Sequence, residues 1–390
     1  MLVDVANGSV GVALSGRGGG KPEIFYETRI ALRPHGEAHK DAGQMVTEVT
    51  EALSRALSDT IKFGLLHLHF AGRKKKSVGE IVCALSAPWH ISKASNIVLT
   101  HSESFTITES LIRDLVERAE EEFEAAILPD VPKEERAHQA TIIERKITAV
   151  RLNGYETPEP YGKHATDFHA EIILSAASRS FLDTVESAVH HRFIGDTAHS
   201  FHSFLLAAFF TLREMKGVPE DFLLVAVGSE LTELLVVKQG EISEIISFPA
   251  GTEHLVAGAR RSAIADTPQV AESFIKVWAS GKAGPELAGQ IEASAGDFGA
   301  EWIGYIRRAA GDANSDTGVF SKQVYLIAPE GFAVLFKKFL DRDRATLDDA
   351  PTSATKTVLI GKDFFASQYQ AGDTKEIDPR LGLLGLFACR

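Results

Sequence analysis

Apolar residues fall into two periods along the chain. Within residues 2–32, the runs "LVDVA", "VGVALS" and "EIFYETRIAL" are separated by "NGS" and "GRGGGKP". Short β-rich runs divided by Asn-Gly and glycine-rich turns predict a three-strand meander, because Asn and Gly tolerate the positive φ of tight hairpins. The same grammar returns in "FLLVAVGSELTELLVVKQGEISEIISFPAG", residues 222–251. Elsewhere the spacing lengthens to three and four. Met45, Val46, Val49, Leu53, Ala56, Leu57 and Ile61 predict an amphipathic helix over 43–63. "EIVCALSAP" at 80–88 predicts a buried strand. Leu111, Ile112, Leu115, Val116, Ala119 and Phe123 line one face of a helix over 107–127, with Glu117, Glu120, Glu121, Glu122 and Glu124 on its solvated side. Thr106 and Glu109 are spaced as its capping box. "PDVPKEERAHQ" at 129–139 reads as a linker. The segments "ATIIERKITAVRLNG" and "TDFHAEIILSAAS", on either side of the loop "YETPEPYGKHA", read as strands. Helices are expected over 180–192 and 199–215 and through most of 253–311. A strand and a helix follow in 323–340, then a β-like tail from 356.

Two meanders, each followed by helices, predict an internally duplicated α/β protein. The expected division is a first subdomain at 1–88, an α+β insertion at 89–178, a second subdomain at 179–252, a helical subdomain at 253–322 and a closing region at 323–390.

The 390 residues, 44% of them hydrophobic, can bury more than one core. A formal charge of -12 argues against a nucleic-acid binder, which needs basic surface to displace counterions. The basic run "GRKKKS" at 72–77 reads as a solvated loop. The two cysteines, Cys83 and Cys389, lie too far apart in sequence to signal a disulfide framework, and Cys83 sits inside the apolar "IVCAL". The first residues lack the positive and apolar regions of a signal peptide, and the longest apolar stretch, "FHSFLLAAFFTL" at 201–212, is too short to span a bilayer.

The candidate chemistry is sparse. "GRGGGK" lacks the spacing and the following Ser/Thr and helix of a P-loop, because Pro22 comes next, so it reads as a hairpin tip. His67 with His69, His190 with His191, and His199 with His202 one helical turn apart have no carboxylate at a recognised ligand spacing; they read as core or surface residues. No G-x-S-x-G nucleophile signature occurs.

The pattern resembles the actin-like nucleotide-binding superfamily, specifically its FtsA and PilM branch, over most of residues 1–340. "LVDVANGSVGVAL" is similar to the family's first phosphate loop, with Asp4 matching the acid and Asn7, Gly8 and Ser9 the turn. "VAVGSELTELLVVKQGEIS" is similar to the second, with Gly228, Ser229 and Thr232 matching and Ala226 standing where that family has an aspartate. Gly251 in "FPAG" matches the glycine that opens the next helix. "IERKITAVRLNGYETPEPYGK" and "FHAEIIL" resemble the domain inserted in FtsA and PilM. "VYLIAPEGFAVLF" lies where the family carries its adenosine loop, keeping Gly331 but placing Ala328, Pro329 and Glu330 at other glycine positions.

This resemblance implies a duplicated actin-like, ribonuclease H-like α/β fold with an inserted α+β domain. It implies ATP and Mg²⁺ as cofactors, held by Asp4, Asn7, Gly8, Ser9, Gly228, Ser229, Thr232, Gly251 and Gly331, with Asp4 the candidate for the metal and its water. The losses at Ala226 and "LIAPEG", and Val10 and Gly11 where a basic residue is usual, reduce the catalytic set and imply weak or absent hydrolysis. The expected function is a cytoplasmic scaffold working through protein contacts, or with a second copy, at the inner face of a membrane, in a division or pilus machine. The alternative is an active ATPase or small-molecule kinase. The closing "EIDPRLGLLGLFACR" is short and glycine-broken for a membrane helix and is expected to pack on the body, leaving membrane contact indirect.

Overall fold

Both meanders form in the computed structural model, which describes residues 1–18, 21–32, 41–64, 66, 78–192, 197–311, 323–345, 356–369 and 377–390. β1 (Leu2–Ala6), β2 (Ser9–Gly18) and β3 (Lys21–Ala31) run antiparallel. β4 (Glu80–Leu85) and β9 (Ala198–Ser203) extend the sheet in parallel, giving the order β3-β2-β1-β4-β9. In the second half β10 (Phe222–Val227), β11 (Thr232–Lys238) and β12 (Glu241–Phe248) repeat the meander. β13 (Gln323–Ile327) and β14 (Lys356–Leu359) add in parallel, for the order β12-β11-β10-β13-β14. One strand order with one set of directions, occurring twice, is the duplication that the repeated turn grammar predicts.

A third, antiparallel sheet has the order β5-β8-β6-β7, built from β5 (His90–Thr106), β6 (Ala140–Leu152), β7 (Tyr155–Glu156) and β8 (His164–Ser178). β5 is not legible as a strand, because "SKASN" and "THSES" carry no apolar alternation; it is fixed by a ladder to β8 from His90 opposite Ala177 to Thr106 opposite His164. α2 (Glu109–Ile127) covers the sheet, burying Ile112, Leu115 and Phe123 in one cluster with Phe168, Ile172 and Leu174.

α1 (Ala42–Asp59) ends in a single π turn, Thr60–Gly64. The N-cap of α2 is Thr108, whose hydroxyl accepts from Leu111 N–H, while Thr106 still belongs to β5; the expected capping box is therefore two residues early. The expected linker contains a short helix, α3 (Lys133–Gln139). α4 (Arg179–His190) follows β8. The helix expected from 199 starts at α5 (Phe204–Arg213), because residues 198–203 form β9; His199 and His202 consequently project from opposite faces of a strand. The second half continues with α6 (Thr252–Arg261), α7 (Pro268–Ala279), α8 (Pro285–Ala309) and α9 (Ala333–Ala345). Among its described residues the tail expected to be β-like has β14 as its one strand. It continues as α10 (Lys362–Phe365) and α11 (Pro379–Ala388). The run 72–77, the tip at Gly19 and Gly20, and His67 with His69 lie outside the described residues.

α5 and α11 share one core between the two five-stranded sheets. Phe204, Leu206 and Phe209 of α5, with Leu381 and Leu384 of α11, cluster with Leu2 and Ile24 of the first sheet and Leu224, Leu235 and Tyr325 of the second. Each such side chain contributes about 1.5–3 kcal/mol on burial. α11 thereby becomes part of the body, as its composition predicts. Among the described residues no helix is long and apolar enough to cross a membrane.

Candidate functional site

Asp4 is fully buried at the centre of β1, where a lone carboxylate would cost several kcal/mol. Two guanidiniums meet it. Arg380 holds it bidentately, Nε donating to Oδ2 at 2.8 Å and Nη2 to Oδ1 at 3.0 Å, and Arg29 Nη2 donates to Oδ2 at 2.9 Å. Gly11 lies between Asp4 and Arg29 in the cross-strand row. A Cβ there would sit 2.7 Å from Arg29 Nη2, so the bare backbone is the path along which Arg29 reaches the acid.

Arg380 comes from the first turn of α11. Its guanidinium lies over the Phe204 ring, 3.5 Å from the centroid, and also donates to Ser86 Oγ. Asp378 caps α11, accepting from Arg380 N–H at 3.0 Å and Leu381 N–H at 2.9 Å. It also accepts from Arg29 Nε at 2.6 Å and Nη2 at 2.8 Å. Burial works upward on the Asp378 carboxyl, but the charge and hydrogen bonds of Arg29 prevail and hold it below its usual range. Two acids and two bases thus neutralise one another. Glu27, on the same face of β3 as Arg29, accepts from Asp378 N–H at 2.9 Å; burial pushes its carboxyl up to about 7.

The second half places its acid differently. Ala226 is paired with Glu233 of β11, so the carboxylate missing from β10 stands directly across on the neighbouring strand. Glu233 is buried, and burial pushes its carboxyl up while Arg380 opposes. Its Oε1 accepts from Ala87 N–H at 3.0 Å.

The two hairpin tips touch. Ser229 N–H donates to Asn7 O at 3.0 Å, and the Asn7 carboxamide oxygen accepts from Glu230 N–H at 2.6 Å and Leu231 N–H at 3.1 Å. Across this contact a Cβ on Gly8 would lie 2.3 Å from Ser229 Cβ, and one on Gly228 would lie 2.8 Å from Asn7 Cβ. The first turn of α6 closes on the same loop: Thr252 N–H donates to Gly228 O at 3.0 Å, and Glu253 N–H to Ser229 O at 2.8 Å. A Cβ on Gly251 would lie 2.3 Å from Ser229 O.

Mg²⁺-ATP does not fit this arrangement. Phosphate binding at such a loop uses free backbone N–H groups. Here the amides of Ser229, Glu230 and Leu231 are engaged by Asn7, and those of Thr252 and Glu253 by the loop's own carbonyls. Both oxygens of Asp4, the expected metal ligand, are held by arginines. The glycines provide room for chain against chain.

Asp4, Asn7, Gly8, Ser9, Gly228, Ser229 and Gly251 are brought together, Ser9 Oγ accepting from Arg29 Nη1 at 3.0 Å. The Thr232 hydroxyl is turned inward instead, donating to Ala250 O and accepting from Trp302 Nε1. Gly331, at φ +84°, packs against Lys276 of α7, where a Cβ would lie 2.5 Å from Cγ. Arg29, Asp378, Arg380 and Glu233 went unrecognised. "ETR" in β3 sets Glu27 and Arg29 on one face, and "DPR" is an N-cap, a proline at N1 and a first-turn arginine. Both are legible locally, but nothing in the sequence links them across more than three hundred residues (|i−j| = 349).

No protein-family model and no curated protein matches the chain. Solved structures do match. The PilM–PilN type IV pilus biogenesis complex aligns with a TM-score of 0.59 and 14% identity over 99% of this chain and 96% of that one. The ethanolamine utilization protein EutJ from Carboxydothermus hydrogenoformans aligns with a TM-score of 0.47 and 10% identity over 99% and 88%. An archaeal actin homolog aligns with a TM-score of 0.41 and 12% identity over 99% and 98%. The strand order repeated within this chain and the near-complete coverage lead to one conclusion: this chain has the duplicated actin-like fold and is similar, along its whole length, to the PilM–PilN complex structure.

Proposed function

We propose that this protein is an actin-like adaptor at the inner face of a membrane, working through protein contacts in a pilus-assembly platform, with ATP hydrolysis weak or absent. One observation carries this reading: the hairpin tips that hold phosphate in a nucleotide-driven relative are hydrogen-bonded to each other, and Asp4 is neutralised by Arg29 and Arg380. An active ATPase or small-molecule kinase would need the tips to part and Asp4 to exchange two arginines for a hydrated metal.

The inserted sheet is the surface we assign to the partner. Val98 of β5 is a large apolar side chain exposed on the face of the sheet opposite α2, because its neighbours Ile97 and Leu99 point into the cluster beneath that helix. The pilus setting is preferred to an FtsA-type division setting because the PilM–PilN complex structure aligns with almost the whole chain at a TM-score of 0.59.

The test is a titration of the full chain with the cytoplasmic tail of the PilN-type protein from the same cell. Saturable 1:1 binding is expected, unchanged by Mg²⁺-ATP and weakened about tenfold or more by Val98→Glu, a loss of about 1.4 kcal/mol. Turnover of ATP at about one per second, abolished by Asp4→Asn, would remove the adaptor reading.

A further inference from the structure

We propose that Glu186, His190 and His199 form a binding site for a single zinc-class divalent cation (Zn²⁺, or Co²⁺ in its place) that ties the end of α4 to the edge strand β9. Glu186 and His190 are four residues apart on α4, so they lie one above the other on one helix face. His199 comes from β9, paired in parallel with Ile81 of β4, and so rests on a different rigid element. Backbone hydrogen bonding in helix and sheet therefore fixes all three positions before any ion arrives.

The distances match a metal site. His199 Nε2 lies 3.2 Å from Glu186 Oε1, and His190 Nε2 lies 3.5 Å from the same oxygen. Nitrogen and oxygen ligands about 2.0–2.2 Å from a tetrahedral zinc ion are separated from each other by about 3.3–3.6 Å. One ligand atom from each residue lies within 4.8 Å of the others. The imidazole rings stand at 89° with centroids 5.6 Å apart, which keeps them from stacking and lets both Nε2 atoms converge.

Two imidazoles and one carboxylate are the donors that zinc and its borderline neighbours select over Mg²⁺ or Ca²⁺, which prefer all-oxygen sets. The three protein ligands leave a fourth position for water or a group from outside the chain. The spacing escapes a motif search because the helical pair reads E-x-x-x-H and the third ligand lies across a loop.

The experiment titrates the metal-stripped full chain with Co²⁺ alone and records its visible spectrum. One equivalent is expected to produce the intense absorption of a four-coordinate ion, to be displaced by Zn²⁺, and to raise the melting temperature by several degrees. Both signals should fall at least tenfold in apparent affinity in His199→Gln. Because His190 and His199 are exposed, the apo variant should melt where the wild type does. If His199→Gln fails to fold, Glu186→Gln carries the test, being nearly isosteric and lacking the charge. Absence of saturable uptake, a weak six-coordinate spectrum, or a spectrum unchanged in either variant would overturn the proposal.

Discussion

Arg380→Leu is expected to destabilise the protein by about 3–5 kcal/mol, the usual cost of removing one partner from a buried ion pair. Leucine keeps apolar contact with Phe204, so the loss reports charge more than volume. Asp4 is fully buried and would keep only Arg29, whose guanidinium is shared with Asp378. The check is a urea unfolding midpoint, with Asp4→Asn/Arg380→Leu as the companion. Replacing both charges removes the orphan, so the double variant should regain at least half of the loss. A single variant costing less than about 1 kcal/mol would show that Asp4 does not depend on α11.

Gly8→Ala is the second large effect. Gly8 has φ +95° and faces Ser229, so an added methyl meets both a disfavoured backbone region and a Cβ 2.3 Å away. Strain of about 1–2 kcal/mol and overpacking of about 1–3 kcal/mol combine to a destabilisation of roughly 2–5 kcal/mol. The same methyl should push the tips apart. Amide exchange at Ser229, Glu230 and Leu231 should accelerate in Gly8→Ala while exchange in α2, which packs on the inserted sheet, changes little. Neutral stability with unchanged exchange would mean that the tips are not packed together. Gly154, with φ +82° and open space around it, provides the control: Gly154→Ala carries the strain without the clash.

Much of the architecture was legible because it is written locally. The Asn7-Gly8 turn and the Gly228–Leu231 loop each join runs of β-formers, and repetition of that unit signals the duplication from sequence. The Gly-broken Leu381–Phe387 stretch could likewise be assigned to the core from composition. What escaped is what the chain decides at a distance. β5 is mostly polar, and only its ladder to β8 makes it a strand. Residues 199–203 read as the start of a helix because Phe201 precedes an apolar run; pairing with β4 overrides that preference.

At the site, the residue types were readable and their partners were not. Asp4 and the glycines fit a phosphate loop in sequence. Whether such a loop faces a ligand or its own chain depends on Asn7 in the turn between β1 and β2, on Arg29 in β3 and on Arg380 in α11. Ala226 is the instructive position: a missing acid there is a loss in sequence, yet Glu233 restores a carboxylate one strand over, where it serves Ala87.

The closed tips are tested most directly by calorimetric titration of the full chain with Mg²⁺-ATP, alongside amide exchange at Ser229, Glu230 and Leu231. Into the millimolar range, no saturable heat is expected and the tip amides should keep their protection. Stoichiometric binding accompanied by deprotection of those amides would contradict it, since the nucleotide would then have displaced Asn7 from the loop.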